Sequence, residues 1–287
     1  MSLIDLVISP READIGFKVQ RLLPYVHRRM VGPFIFLDHM GPAHFTQGQG
    51  INVRPHPHIG LATVTYLFSG EIFHRDSVGS AQAIKPGDVN WMTAGAGITH
   101  SERTLDHELA RPHDLHGLQS WVAIPKEFED CEPEFFHHEA TTLPVEKSAG
   151  VQLRVIAGEA FGHRAPVKIL SPLFYVDAHF AAGGRLDLAA DYTERAVYVI
   201  DGDVRVGGTQ VSPSTMAVLT PGDMARIEAA SHSHVMLLGG EPFAEPRYIN
   251  WNFVSSDPDK IVAAKEAWQN QTFAKVPGDD QEFIPLP

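Results

Sequence analysis

The stretch TVTYLFSGEI (residues 63–72), followed by IKPGDVNWMTAG (84–95), decides the fold. Apolar and polar side chains alternate in both segments, the period of a strand with one face buried. The first segment runs into a Gly-acid turn and the second starts on Pro86-Gly87-Asp88, residue types that reverse a chain between antiparallel strands. The order recurs in the second half, where RAVYVIDGDV (195–204) precedes VLTPGDMARIEA (218–229). Each half therefore predicts one double-sheet β-barrel, and the repeat predicts two of them. QSWVAIP (119–125) and HVMLLGG (234–240) add further short strands bounded by turn residues. LPVEKSAG (143–150) is polar and loop-like, so the expected division is residues 1–145 and 146–287. Helical spacing is clear in PDKIVAAKEAWQNQ (258–271), where Ile261, Ala264, Lys265 and Trp268 share one face after an Asp257-Pro258 start. The expected class is all-β, two barrels with a short C-terminal helix.

The whole chain limits what such a protein can do. Its 287 residues, 44% hydrophobic and 20% charged, fit a soluble globular protein with ample core. A net charge of −12 argues against non-specific binding to nucleic acid or an anionic membrane, and HRRM (27–30) is the single short basic candidate. The one cysteine, Cys131, excludes an internal disulfide and suits a reducing compartment. Its acidic setting, FEDCEPE, lacks the positive charge that activates a thiolate. The N-terminus carries no basic, apolar leader pattern and no run approaches 18 apolar residues, so a cytoplasmic location is expected.

Chemistry enters at VRPHPHIGLATVTYLFSG (53–70). His56 and His58 are two apart on an extended segment and so point to the same face. GITHSER (97–103) repeats the device with His100 and Glu102. On neighbouring strands these four converge, and three neutral imidazoles with one carboxylate suit a borderline divalent ion: Fe(II), Mn(II), Ni(II), Cu(II), Co(II) or Zn(II). Calcium and magnesium would want more oxygen ligands. The second half serves as a control, because the positions matching His56 and His58 relative to the repeated tyrosine are Leu188 and Ala190. The metal is thus expected in the first barrel and not in the second. His232 and His234 form another His-x-His without a visible partner pair and read as solvated or turn residues. His74 and Asp76 lie on one strand face and read as a bonded pair that could also touch a ligand histidine. Asp38 and His39 are candidates to accept a ligand histidine's second N–H. Phe36, Phe73, Trp91 and Met92 read as barrel core.

PFIFLDHMGP (33–42), HPHIGLATVTYLFSGEIFHRDSVGS (56–80) and IKPGDVNWMTAGAGITHSE (84–102) closely resemble the hallmark segments of the pirin family, within the cupin superfamily. The resemblance implies a bicupin of two double-stranded β-helix (jelly-roll) barrels, with one metal in the first. By position it implies the ligands His56, His58, His100 and Glu102. It also implies similarity to quercetin 2,3-dioxygenases that open a flavonol ring with O2, with iron as the most natural occupant. In that chemistry Glu102 serves either as the base for the flavonol hydroxyl or as a permanent ligand. The alternative function is a metal-binding regulatory protein acting through a protein partner without turnover, since eukaryotic pirins are nuclear co-regulators. One departure stands out: Ile59 and Ala62 occupy positions where pirins commonly carry Arg and Glu, which predicts an altered pocket mouth or altered surroundings of the metal ligands, and weakens the transfer of substrate preference.

Overall fold

The structure is a computed structural model describing residues 2–287, and the chain divides into two compact units. One unit is built from residues 12–20, 37–140 and 244–287. Its strands are β1 (Asn52–His58), β2 (Leu61–Ser69), β3 (Ile72–Asp76), β4 (Ala81–Ile84), β5 (Val89–Thr93), β6 (Ile98–Arg103), β7 (His113–Ala123) and β8 (Glu134–His138). A small sheet has the order β1-β6-β3-β4, and a larger one runs β8-β5-β2-β7. All neighbouring pairs are antiparallel, as in a jelly roll. The predicted strands within 63–72 and 84–95 become β2 and β5, which pair directly with Tyr66 opposite Val89.

The other unit takes residues 2–11, 21–36 and 141–243. It contains β9 (Val151–Ala160), β10 (Leu173–Phe180), β11 (Arg185–Leu188), β12 (Glu194–Asp201), β13 (Val204–Val206), β14 (Thr209–Val211), β15 (Thr215–Leu219), β16 (Ala225–Ala229) and β17 (Ser233–Gly240). Its sheets are β15-β12-β17-β10-β9 and β11-β16-β13-β14. The chain passes between units at residues 140–141, near the expected 145–146, but both termini cross over. Ile4–Ile8 pairs with β15 in the second unit, and residues 244–287 join the first. Composition cannot reveal such an exchange, because an edge strand carries the same alternation whichever sheet it completes.

The interiors of the two barrels differ as the control positions predict. Between the sheets of the second lies an apolar core that includes Val176, Leu188, Val197, Val204, Ile227 and Leu237. In the first, an apolar cluster around Met40, Leu67, Ile72 and Leu115 shares the unit with buried His56, His58, His74, Asp76 and His100. A polar core costs stability unless its groups are bonded, so this interior invites a chemical account. The C-terminal helix runs from Pro258 to Gln269 as expected, with Asp257 accepting the Asp259 N–H at its N-terminus. Its face of Ile261, Ala264 and Trp268 packs on Ile59 and Phe253, each large apolar side chain contributing about 1.5–3 kcal/mol. Trp268 is anchored further by donating its indole N–H to Ile284 O at 2.9 Å.

Candidate metal centre

β1 presents His56 and His58, and β6 presents His100. The antiparallel register sets His100 opposite His56 and Ile98 opposite His58. One nitrogen of each imidazole falls within 4.8 Å of the others, and all three rings are buried. The ring planes are inclined to one another by 77°, 55° and 52°. A nitrogen lone pair lies in its ring plane, so steeply inclined rings can aim three lone pairs at one point.

The hydrogen bonds decide which nitrogens are free. His56 Nδ1 lies 2.9 Å from Arg54 O, and His58 Nδ1 lies 3.0 Å from Asn252 O. A carbonyl only accepts, so both neutral rings carry their hydrogen on Nδ1 and a lone pair on Nε2. His58 Nε2 then faces His100 Nε2 at 3.1 Å, while His100 Nδ1 lies 3.4 Å from His74 Nδ1. Three buried imidazole nitrogens sharing one spot are poorly served by each other and well served by a divalent cation. The residues therefore fit a metal ion.

Burial also keeps the rings neutral. It lowers the His56 pKa from 6.5 to about 4, against a smaller opposing effect of its bond to Arg54, and it pulls His58 and His100 well below 6.5. In the metal-free protein this sets the sign of a pH effect. Below pH 6.5 the unfolded chain binds protons that the folded rings refuse, so stability falls as pH drops toward 4, on the order of 3 kcal/mol for His56 alone. Glu102, whose pKa burial raises, acts in the opposite sense, but it is one group against three. Urea unfolding of chelator-treated protein at pH 7.5 and pH 5 should show the loss; equal midpoints would contradict it.

Glu102 stands apart from the three imidazoles, its carboxylate lying outside the set of mutually close ligand atoms. A bulge accounts for this: His100 is opposite His56, but Glu102 is opposite Val53, so two steps on β6 face three on β1. Glu102 Oε1 sits 3.2 Å from Thr65 Oγ1, which also lies 2.8 Å from the Gln119 side-chain amide. The single Thr65 hydrogen is shared between two acceptors, Glu102 Oε1 and Gln119 Oε1.

Other expected residues sort clearly. Asp38 and His39 are not the acceptors for the ligand histidines; Arg54 O, Asn252 O and His74 are. Asn252 escaped sequence reasoning because it acts through its backbone, 194 positions from His58. His39 instead meets His116, Nε2 to Nε2 at 2.7 Å. His74 and Asp76 are bonded at 2.9 Å as anticipated. Phe36, Trp91 and Met92 are buried, whereas Phe73 is partly exposed beneath the Arg75 guanidinium, 4.3 Å from its ring centre, and is not core. In HRRM, Arg28 is neutralised by Asp5 and Glu194, at 2.7 and 3.1 Å.

Ile59 and Ala62 do not reshape a mouth over the imidazoles. Ile59 is buried beneath the C-terminal helix, and Ala62 alternates with Thr63 and Thr65 to face away from Glu102. A cavity of about 580 Å³ opens beside Ile59, between the helix and residues 95–97, with Val254, Lys260 and Phe273 in its wall. It lies behind β1 and none of the three imidazoles lines it.

The second unit holds a cluster that the reading of His232 and His234 missed. His234 is buried and no turn residue: its Nε2 lies 2.6 Å from Asp177 Oδ1, and His179 Nε2 lies 3.3 Å from the same atom. His179 stands opposite His234 in the β10–β17 register. The signal was legible as Asp-x-His in Asp177–His179. The two rings stack at 4.1 Å and 17° with both Nε2 atoms directed at Asp177 Oδ1, and the three groups are close enough together to be a second set of candidate metal ligands. Hydrogen bonding explains this cluster, with Asp177 pulled low and His179 raised by their mutual contact. No helix among the described residues is long and apolar enough to cross a membrane.

Comparison with known proteins adds lineage to geometry. The family model described as Pirin matches residues 16–122, and that of the Pirin C-terminal cupin domain matches residues 175–274. A pirin-like protein of Caulobacter vibrioides is 52% identical, covering 99% of this chain and 100% of its own. Human pirin is 31% identical over 90% of this chain and 89% of its own. The crystal structure of a quercetin 2,3-dioxygenase from Acinetobacter baumannii superimposes with a TM-score of 0.91 at 35% identity, covering 98% of this chain and 94% of that one.

Proposed function

Because the chain belongs to the pirin family of bicupins, we propose that its histidine centre holds a divalent metal and cleaves quercetin or a related flavonol with O2. The observation that carries this reading is the trio of neutral, steeply inclined imidazoles. The name of the Acinetobacter relative supports the substrate class. In this reading His56, His58 and His100 are ligands through nitrogen, and Glu102 completes the set with a carboxylate oxygen. Fe(II) is the favoured occupant; Mn(II), Ni(II), Cu(II), Co(II) and Zn(II) satisfy the same donors.

The metal supplies positive charge that favours an ionised flavonol hydroxyl, and a redox centre for dioxygen. Glu102 accepts the proton of that hydroxyl at a carboxylate oxygen. Burial raises its pKa and so its appetite for a proton, while the Thr65 hydroxyl holds the carboxylate in place. Trp121, edge-on to His58 with ring centres 5.1 Å apart, limits water at that side of the site. The products of such a reaction are a ring-opened ester and carbon monoxide.

Loss of the quercetin visible band in air, dependent on added metal and abolished by chelation, tests the reading. Absence of turnover with every one of these metals, alongside intact binding, would transfer the role to a regulatory, partner-binding protein. Oxygen-independent turnover would overturn the dioxygenase assignment. Glu102→Gln should keep more than half of the metal yet lose about 10²-fold in turnover, the usual scale for one proton-transfer group. Unchanged turnover would remove Glu102 from the chemistry.

A further inference from the structure

Accepting the metal site just proposed, we infer that His74, held in one tautomer by Asp76, is a positioning residue that makes His100 a nitrogen donor through Nε2. β3 carries His74 and Asp76 on one face, and its register with β6 sets Asp76 opposite His100 and His74 opposite Glu102. His74 therefore stands diagonally behind His100. Its Nδ1 is 3.4 Å from His100 Nδ1 and its Nε2 is 2.9 Å from Asp76 Oδ2.

The hydrogens along this line are determined in sequence. The Asp76 carboxylate accepts, so His74 carries its hydrogen on Nε2 and leaves a lone pair on Nδ1. That lone pair takes the hydrogen of His100 Nδ1, and His100 Nε2 is left bare toward His56 and His58. The opposite order would set two bare atoms, His74 Nε2 and Asp76 Oδ2, against each other at 2.9 Å with no hydrogen between them. His56 and His58 reach the same state through backbone carbonyls; His100 reaches it through a side chain, and so can be altered by mutation.

The arrangement is rigid. Asp76 is fully buried, and its second oxygen accepts the Val78 and Ser80 N–H groups at 3.1 and 2.9 Å. His74 is buried and stacked on Phe135, with ring centres 4.4 Å apart and planes 13° apart, so it cannot turn over freely. A purely structural His–Asp pair would need no third partner, and here the free nitrogen of His74 faces the ring that faces the metal position. Contacts beyond a ligand histidine commonly change metal affinity by about 10–100-fold.

Ni(II) affinity of the full-length protein, measured by competition with a chromophoric chelator, tests the inference. Asp76→Asn keeps an oxygen for Val78 and Ser80 but offers its amide N–H to His74. The His74 hydrogen then moves to Nδ1, against that of His100. The expected result is a 10–100-fold weaker affinity with an unchanged melting temperature of the metal-free protein. His74→Gln, which retains a carbonyl acceptor, should bind more tightly than His74→Leu. In the metal-free wild type, ¹⁵N imidazole spectra should show His74 protonated on Nε2 and His100 on Nδ1, with the His74 pattern reversed in Asp76→Asn. If wild type binds Ni(II), His56→Ala does not, and Asp76→Asn binds as tightly as wild type, the inference fails while the metal site stands. If wild type itself binds none, the metal site fails first. A His74 protonated on Nδ1 in the wild type also overturns the inference.

Discussion

Replacing His56 by alanine is expected to leave a folded protein that holds essentially no metal. Four-ligand metal sites in small domains are worth roughly 10–16 kcal/mol, about 2.5–4 kcal/mol per ligand, which corresponds to roughly 10²–10³-fold in affinity for one lost imidazole. His56 faces His100 directly across the β1–β6 register, and its Nδ1–H is already committed to Arg54 O, so no neighbour can take its place. Elemental analysis after dialysis against a weak chelator reads the result. His232→Ala serves as the control, because His232 is exposed and belongs to the other unit. A His56→Ala protein that retains a full equivalent of metal would falsify the assignment of the first barrel.

The largest stability effect is expected at Arg195, which is only 1% exposed. Its guanidinium donates to Ala189 O and Asp223 O at 2.9 Å and to Thr220 O at 3.1 Å. Those carbonyls belong to the turn after β11 and to the Pro-Gly-Asp turn after β15, so one side chain ties two loops of the second barrel. Methionine would fill most of the volume but remove the donors to three carbonyls at partly buried bonds, untying the two loops. The expected loss is about 2–3 kcal/mol, the scale of hydrogen bonds made by a charged donor. Thermal unfolding of Arg195→Met followed by tryptophan fluorescence and circular dichroism would show it, and a melt within about 1 °C of wild type would disprove it. Metal content should not change, since the loss lies in the unit without the imidazole trio.

The fold was legible where strand geometry imposes a period. Thr63, Thr65 and Leu67 alternate with Val64 and Tyr66 along β2 because successive side chains take opposite faces, although both faces are buried here. The histidine trio was legible for the same reason: His56 and His58 share a face by spacing, and the repeat located the strand that answers them. What escaped was set by long-range pairing. Asn252 acts through a carbonyl that any residue could supply. The partnership of His234 with Asp177 needed the β10–β17 register, and the bulge that offsets Glu102 leaves no mark in composition. Ile59 and Ala62, expected to alter the pocket mouth or the surroundings of the ligands, lie elsewhere. Facing the helix and the far side of β2, they alter packing and leave the imidazoles as they are.

The crossing of the termini carries a consequence for how the site is born. During synthesis the chain emerges from its N-terminus, and His56, His58 and His100 are all made well before Asn252. The carbonyl that orients His58 comes from Asn252, 194 positions further along the chain. A nascent chain therefore owns the imidazoles long before it owns the arrangement that makes them donors. In the proposed site, a chain lacking residues 244–287 would carry the three histidines without the carbonyl that holds His58 in its donor tautomer.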